Sequence, residues 1–395
     1  MKNHEETLSP DSIHPFRVQV LDAELTDLRA RLKRTRLPPP VPDYGWQRGV
    51  PADHLGALLD YWGGAFDWRA AEAQLNRWPQ FTTEIDGQLI HFLHVRSPEP
   101  NALPLVLHHG WPSSFVEFLK IVGPLTDPRA HGGDPTDAFD LVVPSLPGFG
   151  FSVPVREPGW QAARTARALA VLMRRLGYDR YGVHGGDVGA AVAGALSSAA
   201  PDRVVGVHFS TEPQTAVTVA AFMGDPARTP GLTEAEREQV EALARVSSDG
   251  SGYLQLQTTR PQTLAYALTD SPAFQLAFIA EKFKEWTDPM HELPEQAVDR
   301  DQLLTNVALY WFTASGASAA HFLYENMHAQ EWGGEGTAPK GFAVFGKQSF
   351  TRKLVDPEHR AAHYREYERG GHFPAMEVPD LLTQDLRTFF RQLAR

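Results

Sequence analysis

The chain of 395 residues contains no cysteine. That single absence excludes disulfides, thiolate metal sites, iron–sulfur clusters and a thiolate nucleophile. Long hydrophobic runs are also missing. The longest small-apolar stretch, Gly189 to Leu196 with its alanine-rich continuation, falls far short of the roughly 20 residues that cross a bilayer. The opening MKNHEETLSPDSIHP is polar and lacks the apolar centre of a signal peptide, so the expectation is a soluble, cytoplasmic protein with no membrane partner. Positive charge is in deficit. With 37 Lys and Arg against 48 Asp and Glu the net charge is −11, which argues against a nucleic-acid surface. Hydrophobic and charged usage, 42% and 22%, is that of an ordinary globular chain and excludes wholesale disorder. Chemistry must come from histidine, carboxylates, hydroxyls or a borrowed cofactor.

At about 150 residues per domain the length allows two or three units, or one large core with insertions. In residues 1–80 one amphipathic helix is marked by Leu21, Leu25, Leu28 and Leu32, and Pro38-Pro39-Pro40 ends it. The Pro- and aromatic-rich stretch that follows (Tyr44, Trp46, Tyr61, Trp62, Trp68, Trp78) cannot build its own core, so it is expected to wrap a larger one. From Phe81 the pattern changes. TTEIDGQLIHFLHVRS reads as a hairpin, and the apolar runs LPLVLHHG, FDLVVPSLPG, RYGVHGG, VVGVHFS and GFAVFG alternate with helical patterns. Such alternation means an α/β fold, a mostly parallel sheet flanked by helices. It breaks after Ser210, and residues 212–336 read as a helical lid over the sheet's carboxyl edge. The expected divisions are a wrap at 1–80, core at 81–211, lid at 212–336 and core again at 337–395.

In RYGVHGGDVGAAVAGALSS a strand runs into Gly185-Gly186-Asp187-Val188-Gly189 and a helix starts at once. This is the nucleophile-elbow pattern with Asp where esterases carry Ser. A helix-capping Asp after a glycine turn explains the segment equally well on its own. Two companions decide between them. His109-Gly110-Trp111-Pro112 follows the strand LPLVLH, where the Trp111 and Val188 amides would face one oxyanion. Gly370-Gly371-His372-Phe373 places a histidine just before the closing helix, where a general base belongs. His359 and His363 have a metal-like i, i+4 spacing but no third ligand, so an exposed helix face is expected. No metal and no cofactor is called for.

HHGWPSSFVEF, HGGDVG, GSGYLQLQTTRPQTLAYALTDSP, NVALYWFT and RGGHFPAMEVPD resemble the microsomal-type epoxide hydrolases of the α/β-hydrolase fold. FRVQVLDAELTDLRARLKRTRLP is similar to that family's N-terminal meander, and the resemblance covers nearly the whole chain. The membrane-anchoring helix of the animal members is not seen, which fits a soluble bacterial protein. The resemblance implies that Asp187 attacks an epoxide carbon to form an alkyl–enzyme ester, and that His372 then activates water against it. It implies a lid tyrosine as proton donor, matched by Tyr253.

Three positions depart from the family. The second lid tyrosine falls on Leu323, with Tyr324 one residue on and about 100° around the helix. The usual relay acid falls on Gln348, so Glu212 at the end of the preceding core strand is the expected acid, with Asp356 as second candidate. Val188 replaces a bulkier residue after the nucleophile, leaving room for a larger substrate. Trp111 and Trp286 are expected to line the pocket. A hydrophobic aryl or natural-product epoxide, opened in biosynthesis or detoxification, is the expected partner besides water, and the sequence is compatible with a homodimer. A haloalkane dehalogenase shares the nucleophile, base and oxyanion loop, but Val188 offers no halide donor. A non-hydrolytic relative with a decayed relay is the third alternative, motivated by Gln348 and Leu323.

Overall fold

The computed structural model describes residues 12–39, 45–331 and 336–393. Pro40 and Tyr44 lie outside them, as do the first residues of the chain and positions 332–335 of the expected lid.

One nine-stranded sheet organises the molecule, in the order β1-β2-β3-β5-β4-β6-β7-β8-β9. β2 (Gln80–Ile85) and β3 (Gln88–Val95) form the expected hairpin. Its turn residues Asp86 and Gly87 both have positive φ, 53° and 72°, the conformation that matches strand twist in two-residue loops. β4 (Leu103–His108), β5 (Phe139–Pro144), β6 (Tyr181–Gly185), β7 (Val204–Thr211) and β8 (Lys340–Phe345) are the five apolar runs. They pair in parallel from β5 across to β8, and every residue of β6 is buried, as a strand covered on both faces requires.

Both edges were unanticipated. β1 (His14–Phe16) pairs antiparallel with β2, and β9 (His363–Tyr367) extends the parallel set beyond β8. β9 also corrects the reading of His359 and His363. His359 sits in a turn at φ 54° and His363 opens a strand, so the two share no helix face.

The helix Pro379–Leu393 lays Leu386 and Phe389 against the sheet with both fully buried. Side chains of this size contribute about 1.5–3 kcal/mol each. Between β7 and β8 the chain is helical, from Pro213–Met223 through Glu234–Asp249, Gly252–Thr259, Pro261–Asp270, Pro272–Trp286 and Arg300–Thr313 to Ser315–Met327. Sequence signals start these helices. Thr233 and Glu236 make a reciprocal capping box, and Ser271 caps the Phe274 amide ahead of Pro272. None of the described helices is long and apolar enough to cross a membrane.

The N-terminal segment ties to itself and to that helical insertion. Asn76 exchanges two hydrogen bonds with the Val18 backbone, Tyr61 donates to Asp301 at 2.7 Å, and Trp68 packs on Phe312. Its leucines 25, 28 and 32 join the same hydrophobic cluster as the sheet.

The topology marks one place for a ligand. β4 is followed in sequence by β5 on one side, while β6 lies on its other side. Such a reversal opens a crevice at the carboxyl ends of the two diverging strands. Here those ends are His108, leading to His109-Gly110-Trp111, and Gly185, leading to Gly186-Asp187.

Candidate active site

Asp187 begins the helix Asp187–Ala199 with φ at 52°, a left-handed conformation that costs a non-glycine residue about 1–3 kcal/mol. The turn is tight enough that glycine is needed around it. A Cβ on Gly189 would collide with the His108 carbonyl, and one on Gly185 with the backbone of Gly189. The strained turn holds the carboxylate clear of its own helix and against the β4 loop. Asp187 Oδ1 accepts the Trp111 amide at 2.8 Å. Val188 follows in the first turn, where helix amides have no intrahelical acceptor, and its side chain packs on the core.

His372 approaches the other carboxylate oxygen, with Nε2 3.7 Å from Asp187 Oδ2. Its Nδ1 lies 3.1 Å from Glu212 Oε1. Glu212 directly follows β7 and caps the next helix, receiving the Thr215 amide at 3.2 Å and its hydroxyl at 2.5 Å. Capping and contact with histidine therefore fall on one carboxylate oxygen. Burial alone would push the imidazole down, but Glu212, by charge and hydrogen bond, and then Asp187 overcome it and bring His372 to about 9. Burial also opposes the Glu212 charge, yet His372 and the Thr215 donors hold its pKa below the ordinary value.

The other acid candidates point elsewhere. Asp356 accepts the Arg360 and Ala361 amides and pairs with Arg352, while Gln348 is exposed. Tyr253 stands at the site. Its ring stacks on Trp111 at 5.0 Å and 9° and meets Trp286 edge-on at 5.3 Å. Burial, followed by the charges of Asp187, Glu285 and Glu212, pushes its phenol well above the ordinary value and keeps it protonated. Trp286 also contacts the His372 ring at 4.9 Å, and Phe278 packs edge-on to Trp111. Tyr324 is not brought to this cluster by its described contact. It stacks on His328 at 4.0 Å, and Leu323 at the neighbouring position is buried.

Four residues escaped the sequence reading. Glu117, in HHGWPSSFVEF, is buried near the pair, and burial pushes its carboxyl up to about 7 against the opposing pull of Ser113 and His372. Asp288 and Glu377 sew the His372 loop to the end of the helix Pro272–Trp286. The Gly370 amide donates to the Asp288 carboxylate, the Asp288 amide donates to the Glu377 carboxylate, and the His372 amide donates to Trp286 O at 2.8 Å. Lys282 sits over the Tyr253 ring at 4.4 Å. The quoted motifs contain Glu117 and Glu377, but only the folded arrangement gives any of the four a neighbour.

A sheet with this order, a carboxylate at the elbow after β6 and a histidine before the last helix define an α/β-hydrolase. Residues 104–239 match the family model for the alpha/beta hydrolase fold, and residues 13–118 match that for the epoxide hydrolase N terminus. A putative epoxide hydrolase from Stigmatella aurantiaca is 44% identical over 96% of this chain and 85% of its own length. Epoxide hydrolase 1 of Sus scrofa is 35% identical over 96% of the chain and 88% of its own length. The structure of Aspergillus niger epoxide hydrolase superposes with a TM-score of 0.80 at 32% identity, covering 97% of each chain. The chain belongs to the epoxide hydrolase family.

Proposed function

We propose that this protein is an epoxide hydrolase that opens a hydrophobic, aryl-type epoxide to a vicinal diol through an ester on Asp187. One observation carries the reading. The Asp187 carboxylate has one oxygen on a backbone amide and the other free before a histidine that a second carboxylate holds. A carboxylate suits attack on an sp³ carbon because the ester it forms can be hydrolysed at its own carbonyl. The rings of Trp111, Tyr253, Phe278 and Trp286 favour an apolar substrate. In this reading residues 212–336 form a lid, residues 1–80 a wrap, and no metal or cofactor takes part.

Asp187 Oδ2 attacks an epoxide carbon, the carbon–oxygen bond breaks, and Tyr253 gives its proton to the leaving oxygen. Esterification removes one of the two charges that hold the His372 proton, so that proton passes to the tyrosinate and leaves a neutral imidazole. His372 then takes a proton from water, whose oxygen attacks Asp187 Cγ. The charge that develops falls on Oδ1, at the Trp111 amide, with the Val188 amide as second donor. Collapse frees the diol oxygen, which takes the remaining water proton and restores the carboxylate.

A single turnover of styrene oxide in ¹⁸O-water tests the ester. The label is expected in the Asp187 peptide by mass spectrometry, with unlabelled oxygen in the first diol released. Label in the first diol and none in the peptide would mean direct attack by water. Chloride release from a haloalkane with no diol from styrene oxide would favour dehalogenation.

A further inference from the structure

We infer that Lys282 positions and polarises Tyr253, its ammonium stabilising the negative charge that appears on the phenol oxygen as the epoxide opens. The inference rests on the proposed hydrolysis and names a contributor to its first step.

Lys282 lies on the helix Pro272–Trp286 with its side chain 1% exposed. Lysine is almost never so buried without partners. Here Nζ reaches Glu285 at 2.6 Å, Glu281 at 2.7 Å and the Gly250 carbonyl at 3.4 Å, which engages all three ammonium protons. Gly250 precedes the helix Gly252–Thr259 that carries Tyr253, so the cation is anchored to the turn that presents the phenol. It lies 4.4 Å from the Tyr253 ring centroid and 5.8 Å from that of Trp286.

Stability does not account for this arrangement. Well-packed apolar side chains replace buried ion pairs with little loss and often with gain. Chemistry does account for it. The resemblance places the second hydroxyl donor at Leu323, and the buried Tyr310 hydroxyl is engaged by the Ser113 carbonyl. In this reading Tyr253 alone supplies the proton as the carbon–oxygen bond breaks and the Asp187–carbon bond forms. The bond from the Tyr253 oxygen to its proton breaks, and negative charge gathers on that oxygen in a buried site where Asp187, Glu285 and Glu212 all oppose it. A cation over the ring attracts the neutral phenol and attracts its anion more strongly, so its effect grows toward the transition state. Without Lys282 the charge of Glu285 at the phenol would go uncompensated.

Stopped-flow tryptophan fluorescence with styrene oxide separates ester formation from ester hydrolysis. Lys282→Met keeps length and removes charge. It is expected to slow ester formation about ten-fold or more, below the 10²–10³ of a donor in direct contact, and to leave ester hydrolysis within about two-fold. Lys282→Arg should recover much of the loss. Glu285→Gln removes an opposing charge while keeping an oxygen that can accept from the Lys282 ammonium, so ester formation should be faster, a readout that stands even where Lys282→Met fails to fold. Unchanged ester formation in Lys282→Met, equal loss in both steps, or ester formation no faster in Glu285→Gln would each overturn the role of Lys282. A wild-type protein that forms no ester at all would instead overturn the proposed hydrolysis.

Discussion

Glu212 carries three donors on one oxygen, two from Thr215 and one from His372, and it is the carboxylate that meets the imidazole Nδ1. Glu212→Gln keeps the shape but removes the charge that favours an imidazolium. If Glu212 is the relay acid, turnover should fall about 10²-fold or more, as it does when the triad Asp of a serine protease is made neutral, and ester should accumulate. Tyr324→Phe should stay near wild type in the same assay. The variant also has a pH signature. His372 rises from the ordinary 6.5 to about 9 in the folded protein. A raised pKa stabilises the fold fully below the lower value, and that contribution is lost as pH climbs through the upper one. The difference in Tm between wild type and Glu212→Gln should therefore shrink between pH 6.5 and 9.

The helix Pro272–Trp286 meets the candidate site at three places. Lys282 and Trp286 face Tyr253 from it, and the chain at its end holds the His372 loop through Asp288 and Trp286 O. A Cβ on Gly371 would strike this same backbone, at the Trp286 carbonyl. Tyr253, Trp286 and the His372 loop are thus braced by one element. Asp288→Ala would free the Gly370 amide and loosen the loop. It should lower the rate of ester hydrolysis several-fold while ester formation, which needs no base, changes less. The same stopped-flow traces read both steps. Core strands were legible from their apolar runs because burial on both faces leaves a local mark. β1 and β9 were not, since HPF and HYREY carry no such run and become strands only by pairing at an edge.

Across the whole molecule, a buried polar ladder joins the last helix to the far half of the sheet. Asp385 accepts from His208 of β7 at 2.8 Å, from His363 of β9 at 2.9 Å and from Tyr367 at 2.5 Å, and His208 meets His184 of β6 at 2.9 Å. Asp385 is fully buried, and the His208 and His363 hydrogen bonds outweigh the cost of burying its charge, holding its pKa well below the usual carboxylate range. Asp385→Ala would strand three donors in the interior. It is expected to cost about 3 kcal/mol or more in urea unfolding, with Asp385→Asn costing less.

By itself the sequence determined the elbow at Asp187, the turn that carries the Trp111 amide and the histidine before the closing helix. Each is written in a few adjacent residues, because a glycine-lined turn between strand and helix is a local steric requirement. Which acid meets His372, which tyrosine reaches the crevice and why Lys282 is buried were decided by the tertiary structure. Along the chain Glu212 is the expected acid and Asp356 only the second candidate, but sequence carries no distance between residues 160 apart. Folding the parallel sheet sets that distance, placing the end of β7 against the His372 loop and leaving Asp356 to cap its own turn.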